Sequence, residues 1–208
     1  MNKTRSDYYE LELVSPLSGI EEQFYLQDLK QRKLYLNAEI TTDVTGDIIR
    51  HIFQMNAEDR DIPVEKRKPI IIYISSPGGD VDAGFGLIDA IEASVTPVFT
   101  VNTGFTYSMA FLIFLAGTTR YAMKNARFLM HDGSSFAYNS TSKLQDQMEF
   151  QKAVEKRIMD YVVDHSTLSP EEYREKWRVE WYMFADEAKE HGFCDKVVGE
   201  DCVISEVV

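Results

Sequence analysis

The chain has 208 residues, of which 44% are hydrophobic, and it carries 34 acidic against 22 basic residues for a formal net charge of −12. This length and hydrophobic content predict one globular domain with a sizeable core and exclude wholesale disorder. The acidic balance argues against a protein that binds nucleic-acid phosphates through general charge attraction, so we expect no nucleic-acid partner.

The N-terminal residues, the hydrophobic stretches and the cysteines predict the cellular compartment of the protein. Residues 1–7 are polar and no apolar segment follows them, so we expect no signal peptide. The most hydrophobic stretch, residues 109–116, is far too short to span a bilayer. Cys194 and Cys202 lack metal-site spacing and have no second pair with which to form a disulfide framework, so a reducing compartment suits them. We predict a cytoplasmic protein without membrane contact.

In chain order, short apolar segments of strand length alternate with segments whose apolar residues recur at helical spacing. Residues 1–27 are polar and weakly patterned, so we predict a flexible or partner-dependent N-terminal arm. Strands are predicted at residues 33–36, 70–74, 97–101, 120–123 and 127–130. Helices are predicted at residues 44–53, 81–95 and 108–117. The run at 70–74 is continuously apolar, which is typical of a strand buried on both faces of a parallel sheet.

The second half of the sequence changes character. Apolar residues at 144–162 lie along one helix of roughly 20 residues, or about 30 Å, which indicates a projecting element that contacts a partner. Ser169-Pro170-Glu171-Glu172 has the form of a capping box with proline at the first helical position. A short helix at 185–191 and a last strand at 194–198 follow.

This alternation predicts an α/β fold with a largely parallel sheet, because parallel strands need crossover connections between them. No internal repeat or low-complexity tract divides the sequence. We therefore expect the arm at residues 1–27, one domain over residues 28–200, and a C-terminal tail over residues 201–208.

Three features at segment ends suggest chemistry. Gly78-Gly79 forms a turn at a strand end, Ser108 begins a buried helix 29 residues after Gly79, and His131 ends a strand. Serine acyl transfer needs backbone N–H groups for an oxyanion, a nucleophile and a base, and these three features can supply them.

Each feature taken alone has a plainer interpretation. The glycine pair is more often a structural turn, and it lacks the lysine and hydroxyl residue of a phosphate-binding loop. Ser108 is favoured at a helix start for capping and does not lie in a Gly-x-Ser-x-Gly elbow. His131 is equally typical of a core histidine, and the remaining three, His51, His165 and His191, carry no evident site.

The order and context of these segments resemble the Clp protease proteolytic subunit, in the ClpP/crotonase superfamily. The resemblance runs from about Leu34 to Val198. It is carried by four segments: residues 73–79 with Ala83-Gly84, residues 104–117, residues 125–131 and residues 187–195. It implies a superhelix of βαβ units with a long projecting handle helix.

The resemblance also implies roles for single residues. Ser108 falls on the nucleophile, His131 on the general base, and the N–H groups of Gly79 and Met109 on the oxyanion hole. A helix that begins at Ser108 directs free N–H groups and the positive end of its dipole towards developing negative charge, which suits this role. No cofactor and no metal is implied.

Two further segments have implied roles, and the first of them departs from the family pattern. Asp132 to Asn139 falls on the segment that pairs with an extended substrate, and it is about four residues shorter than usual. The helix from Lys143 falls on the handle between rings. Phe111 and Tyr107 are bulkier than the small residues that commonly surround the serine, which bears on substrate preference.

The third triad position is atypical. Aligning residues 165–195 without gaps places Lys176 where the family has its aspartate, and a lysine cannot stabilise an imidazolium. Loss of a triad carboxylate typically costs about 10⁴ in turnover. Three interpretations remain open. In the first, Glu175 or Glu180 replaces the carboxylate, and Glu180 would lie one turn along if the helix continues. In the second, Lys176 is a surface residue of a weakened enzyme, and in the third the chain is a non-catalytic ring subunit.

The leading hypothesis is a self-compartmentalised serine endopeptidase that cleaves unfolded polypeptides. By resemblance it forms homo-oligomeric rings, heptamers paired into a tetradecamer, with an ATPase unfoldase as a possible partner. The alternative is a ring subunit of the same fold with a structural or regulatory role and little activity. Crotonase-like acyl-CoA chemistry is a third hypothesis, but it does not need Ser108 and His131 together.

Overall fold

A computed structural model of the chain describes residues 19–133 and 141–207. The helices in these residues are α1 (Ile20–Lys30), α2 (Thr42–Glu58), α3 (Val81–Glu92), α4 (Met109–Leu115), α5 (Thr141–Asp164), α6 (Pro170–Trp177) and α7 (Ala185–Glu190). The strands are β1 (Lys33–Leu36), β2 (Ile70–Ser76), β3 (Val98–Tyr107), β4 (Thr119–Met123), β5 (Arg127–Met130), β6 (Trp181–Phe184) and β7 (Lys196–Val198). Short 3₁₀ turns occupy Val64–Lys66 and Ile204–Glu206.

One mostly parallel sheet organises the described residues, which confirms the predicted α/β fold. Its strands follow the order β1-β2-β3-β4-β7, and all of these pairs are parallel. Strand β5 pairs with β3 in parallel, and β6 pairs with β5 in antiparallel fashion. The long strand β3 pairs with β4 over residues 99–102 and with β5 over residues 105–107. The ends of β3 and β5 therefore lie side by side.

Helix α4 occupies the centre of the core. Each of its residues, Met109 to Leu115, is at most 5% exposed, so the helix is apolar all round. A helix of this kind must be buried on every side, which explains why its sequence shows no amphipathic pattern. The element that follows Ser108 is thus held rigidly between the sheet and the surrounding helices.

A second, smaller apolar cluster covers the opposite face of the sheet. Ile71, Tyr73, Val101 and Tyr121 lie on this face, together with Val198 and two residues of the C-terminal tail, Cys202 and Val207. The Tyr73 hydroxyl donates a hydrogen bond to the main-chain oxygen of Val207, and Val207 is only 2% exposed. The tail thus supplies part of the cover that a parallel sheet requires on its second face.

The capping box of α6 is confirmed. The Ser169 hydroxyl accepts a hydrogen bond from the N–H of Glu172, and the Glu172 carboxylate accepts one from the N–H of Ser169. The predicted helix at 81–95 ends earlier, at Glu92, because Val95 lies in a turn. The N–H groups of Val95 and Thr96 both donate to the Asn56 side-chain oxygen in that turn.

Two elements were not predicted. Helix α1 begins at Ile20, inside the expected N-terminal arm, and Leu26 on it is 5% exposed. Residues 1–18 of that arm lie outside the described residues. Strand β6 follows α6 directly and owes its place to antiparallel pairing with β5. Among the helices described, none is long and apolar enough to cross a membrane.

Candidate active site

Ser108 lies in a sharp turn between β3 and α4. Its φ of +54° and ψ of −124° place it in a region that non-glycine residues rarely adopt. Its N–H donates to the Leu129 carbonyl at 3.0 Å, and its carbonyl accepts from the N–H of Phe111 at 2.9 Å. The hydroxyl makes no capping hydrogen bond to α4. The plainer interpretation of Ser108 as a helix cap therefore finds no support in this geometry.

The glycine turn after β2 presses directly against this serine. Gly78 has a φ of +95°, and a Cβ added there would lie 2.6 Å from the Tyr107 carbonyl oxygen and 2.8 Å from the Ser108 Cβ. Gly79 has a φ of +148°, and a Cβ there would lie 2.5 Å from the Ile40 carbonyl oxygen. Both positions require glycine, for conformation and for space. The turn is thus shaped by contact with the serine junction.

The Gly79 N–H does not take part in the main-chain hydrogen bonds around it. Ile40 donates its N–H to the Gly78 carbonyl at 2.8 Å and accepts the N–H of Asp80 at 2.9 Å. This parallel bridge uses the groups on either side of Gly79. Met109 is the first residue of α4, a position whose N–H has no partner within its own helix.

His131 follows β5 and is half-buried. Because β3 and β5 are parallel neighbours, their ends bring Ser108 and His131 to the same place. Both line one cavity of about 40 Å³. The remaining lining residues are mostly apolar: Met109, Phe111, Leu112, Met130, Gly133, Ile158 and Trp177. Gly79 is not among them, although its neighbour Gly78 contacts the serine junction.

The Lys176 side chain lies on an aromatic ring. Its Nζ is 4.3 Å from the ring centroid of Trp181, a distance suited to a cation–π contact. Trp181 is the β6 partner of Met130, the residue before His131. The Trp181 Nε1–H also donates to the Glu187 carboxylate at 2.8 Å. Lys176 is thus close to the histidine strand, and its ammonium group has an aromatic partner.

The two candidate glutamates are placed elsewhere. The continuation of helix α6 considered for Glu180 is wrong: α6 ends at Trp177, and the chain turns at Arg178 to enter β6. Glu180 is exposed and accepts a hydrogen bond from the Tyr182 hydroxyl at 3.3 Å. Glu175 is exposed on α6. Within residues 19–133 and 141–207, no hydrogen bond joins the His131 imidazole to a carboxylate.

Trp177 is the residue that the sequence reasoning missed. Its carbonyl accepts the N–H of Asp132 at 3.0 Å, which ties the end of α6 to the residue after His131. Its ring stacks on Tyr173, with centroids 5.2 Å apart. No motif or periodicity in the sequence points to Trp177. Its position next to Lys176 is the one feature that could have drawn attention to it. Most of the segment at 132–139 lies outside the described residues, and in the described part no cluster of three or more metal-ligating side chains exists.

Comparison with known proteins identifies the family of this chain. The sequence model of the Clp protease family matches residues 20–201. The chain is 31% identical over 187 residues to the ATP-dependent Clp protease proteolytic subunit 2 of Thermobifida fusca, covering 88% of each chain. It is 26% identical over 180 residues to the subunit of the same name from Treponema pallidum, covering 86% of this chain and 87% of that one. The match spans every element from α1 to β7, so the chain belongs to the Clp protease family.

Proposed function

We propose that this chain is a serine endopeptidase with Ser108 as nucleophile and His131 as general base. The observation that carries the proposal is the junction of β3 and α4. A serine in a strained backbone conformation, with its hydroxyl unused as a cap, shares one small cavity with a histidine. Strained residues of this kind cluster at sites where the strain serves positioning.

In the proposed mechanism the Ser108 hydroxyl oxygen attacks the carbonyl carbon of a peptide bond, and His131 takes the hydroxyl proton. The N–H groups of Gly79 and Met109 stabilise the oxyanion that forms. His131 then protonates the leaving amine, and an acyl-enzyme remains on Ser108. His131 next accepts a proton from water, whose oxygen attacks the ester carbonyl carbon. The bond to the Ser108 oxygen then breaks, His131 returns the proton to that oxygen, and the carboxylic acid is released.

The third position limits the rate in this proposal. An aspartate would orient the imidazole and stabilise its protonated form, whereas Lys176 is held on the Trp181 ring. Without a carboxylate, a serine–histidine pair with an oxyanion hole is expected to lose about 10⁴ in turnover. We therefore propose low activity rather than none.

The direct test is covalent labelling with a fluorophosphonate, which reacts with an activated serine and does not require fast turnover. We expect labelling of the wild-type protein and none of Ser108→Ala, with the same oligomer mass in both. Ser94→Ala, between α3 and β3, is the control and should label like the wild type. Equal labelling of Ser108→Ala and the wild type would exclude Ser108 as the nucleophile.

The assembly proposed is a ring oligomer, with heptamers paired into a tetradecamer. Its support is the helix α5 of 24 residues, on which Met148 and Phe150 are 62% and 71% exposed. Large apolar side chains exposed on a projecting helix are typical of a surface that another chain covers. The relatives are named as subunits of an ATP-dependent protease, which supports an ATPase partner and unfolded polypeptide as substrate. A cytoplasmic location remains part of this proposal.

A non-catalytic ring subunit is the second candidate, and Lys176 is the observation that favours it. In that case the protein would assemble but would not react with the fluorophosphonate. Labelling combined with light scattering separates the candidates: an oligomer that labels is the enzyme, and an oligomer that does not label is the structural subunit. A monomer would contradict the assembly proposed for both.

A further inference from the structure

The cavity beside Ser108 and His131 is unusually small for a site that accepts a side chain. Its volume is about 40 Å³, whereas an apolar cavity that admits benzene measures about 150 Å³. We propose that this enzyme cleaves after residues with the smallest side chains, namely glycine, alanine and serine. The inference rests on the proposed function, since it concerns the substrate residue whose carbonyl Ser108 attacks.

The location of the cavity ties it to that substrate residue. Ser108 and His131 are both among its lining residues, so it adjoins the two proposed catalytic residues. A side chain on the attacked residue branches one bond from the carbonyl carbon and must occupy space next to the nucleophile. The lining includes Leu112, Met130 and Ile158, each at most 6% exposed, so the cavity favours apolar or very small groups.

Phe111 lines the cavity, and its side chain cannot move easily. It is completely buried, and its ring packs edge-on against Phe193 at 5.0 Å and Phe128 at 6.2 Å between centroids. Phe114 also packs against Phe128, so four aromatic rings brace one another. Enlarging the cavity on this side would require moving rings in a close-packed core, which is energetically costly.

Trp177 also lines the cavity and makes two contacts with its surroundings. Its ring stacks on Tyr173, which is 2% exposed, with an interplanar angle of 24°. Its carbonyl accepts the N–H of Asp132. Unlike Phe111, it is only half-buried and ends a short helix, so it can be truncated with less damage to the core. We therefore expect Trp177 to limit the size of the substrate side chain next to the attacked carbonyl.

The experiment compares three substrates and three aldehydes. Succinyl tripeptide aminocoumarin amides that end in Ala, Leu or Phe measure kcat/KM. Peptide aldehydes with the same three ends measure protection of the serine from a fluorophosphonate, which does not depend on turnover. For the wild type we expect Ala to be favoured over Phe by at least about tenfold in both measurements.

Widening variants test which wall restricts the site. Trp177→Ala is expected to lower the Ala-to-Phe ratio at least about tenfold, chiefly by raising the value for Phe. Ile158→Ala removes a different part of the lining and serves if Trp177→Ala does not fold. Phe184→Ala is the matched control, because Phe184 is an exposed aromatic residue outside the cavity, and the ratio should not change.

Failure of the inference and failure of the proposed function give different results. If the wild type labels with the fluorophosphonate but treats the three ends alike or prefers Phe, the size restriction is wrong and the protease proposal stands. If neither widening variant that folds changes the ratio, these walls do not set specificity. If the wild type does not label at all, the proposed function is wrong and the inference is overturned with it.

Discussion

Gly78 and Ser108 are in direct contact: a Cβ at Gly78 would lie 2.8 Å from the Ser108 Cβ, closer than two such atoms approach in proteins. The two residues are 30 positions apart and belong to different strand ends. Their contact holds the glycine turn against the serine junction. The spacing of the proposed oxyanion hole from the nucleophile therefore depends on the absence of a side chain at residue 78.

Gly78→Ala should reduce both stability and labelling of Ser108. The methyl group would strain a φ of +95° and displace the Tyr107 carbonyl, which it would meet at 2.6 Å. A loss of about 1–3 kcal/mol in the free energy of unfolding is expected, measured by urea titration. Gly46→Ala is the control, since nothing lies within 4 Å of its added Cβ. That change, inside helix α2, should stabilise by about 0.5–1 kcal/mol.

Lys176→Asp should raise turnover on a short fluorogenic peptide, by up to about 10⁴ where the carboxylate reaches the imidazole. The end of α6 is tied to the residue after His131, because the Trp177 carbonyl accepts the N–H of Asp132. Lys176→Met separates the new carboxylate from simple loss of the ammonium group and should leave turnover nearly unchanged. Turnover equal in all three proteins would show that residue 176 is not the third catalytic position.

Glu180→Gln should change turnover little. Its carboxylate accepts a hydrogen bond from Tyr182 and is exposed in the connection between α6 and β6. A fall of about 10⁴ in kcat would instead identify Glu180 as the missing carboxylate and would require this connection to rearrange. Glu175→Gln provides the comparison, as it removes a neighbouring exposed charge on α6.

Val207→Asp should destabilise the protein, by about 2–4 kcal/mol in urea unfolding. Val207 is buried against the second face of the sheet, and a carboxylate there would lose its hydration without gaining a partner of opposite charge. Val203→Asp, at a position 62% exposed in the same tail, should change stability by less than about 0.5 kcal/mol. Equal effects of the two changes would mean that the tail does not pack in solution.

The Tyr73 hydroxyl should make stability fall at high pH. Burial raises the pKa of Tyr73 from 10.0 to about 12, because the phenolate would be poorly hydrated beneath the tail. A folded-state pKa above the unfolded value contributes stability that is complete below pH 10 and is lost as the pH rises through 12. Comparing Tyr73→Phe with the wild type isolates this residue. The stability difference between them should shrink between these pH values, and a constant difference would contradict the assignment.

Local patterns in the sequence determined most of the strands and helices of this protein. The apolar run at 70–74 predicted a buried parallel strand, and the capping box at Ser169 predicted the start of α6, because both signals act between residues close in sequence. The positions of Ser108 and His131 at segment ends were also readable. Helix α1 and strand β6 were missed because their stability comes from packing and pairing with distant residues.

Only the tertiary structure decided what surrounds the candidate catalytic residues. The ends of strands β3 and β5 bring Ser108 and His131 together. Gly78, in the turn after β2, contacts Ser108, and the Lys176 ammonium group lies on the Trp181 ring. Each of these contacts joins residues from separate elements, and no local pattern encodes which side chains will meet. The size of the cavity depends on how Phe111 and Trp177 pack, and packing is a property of the whole core.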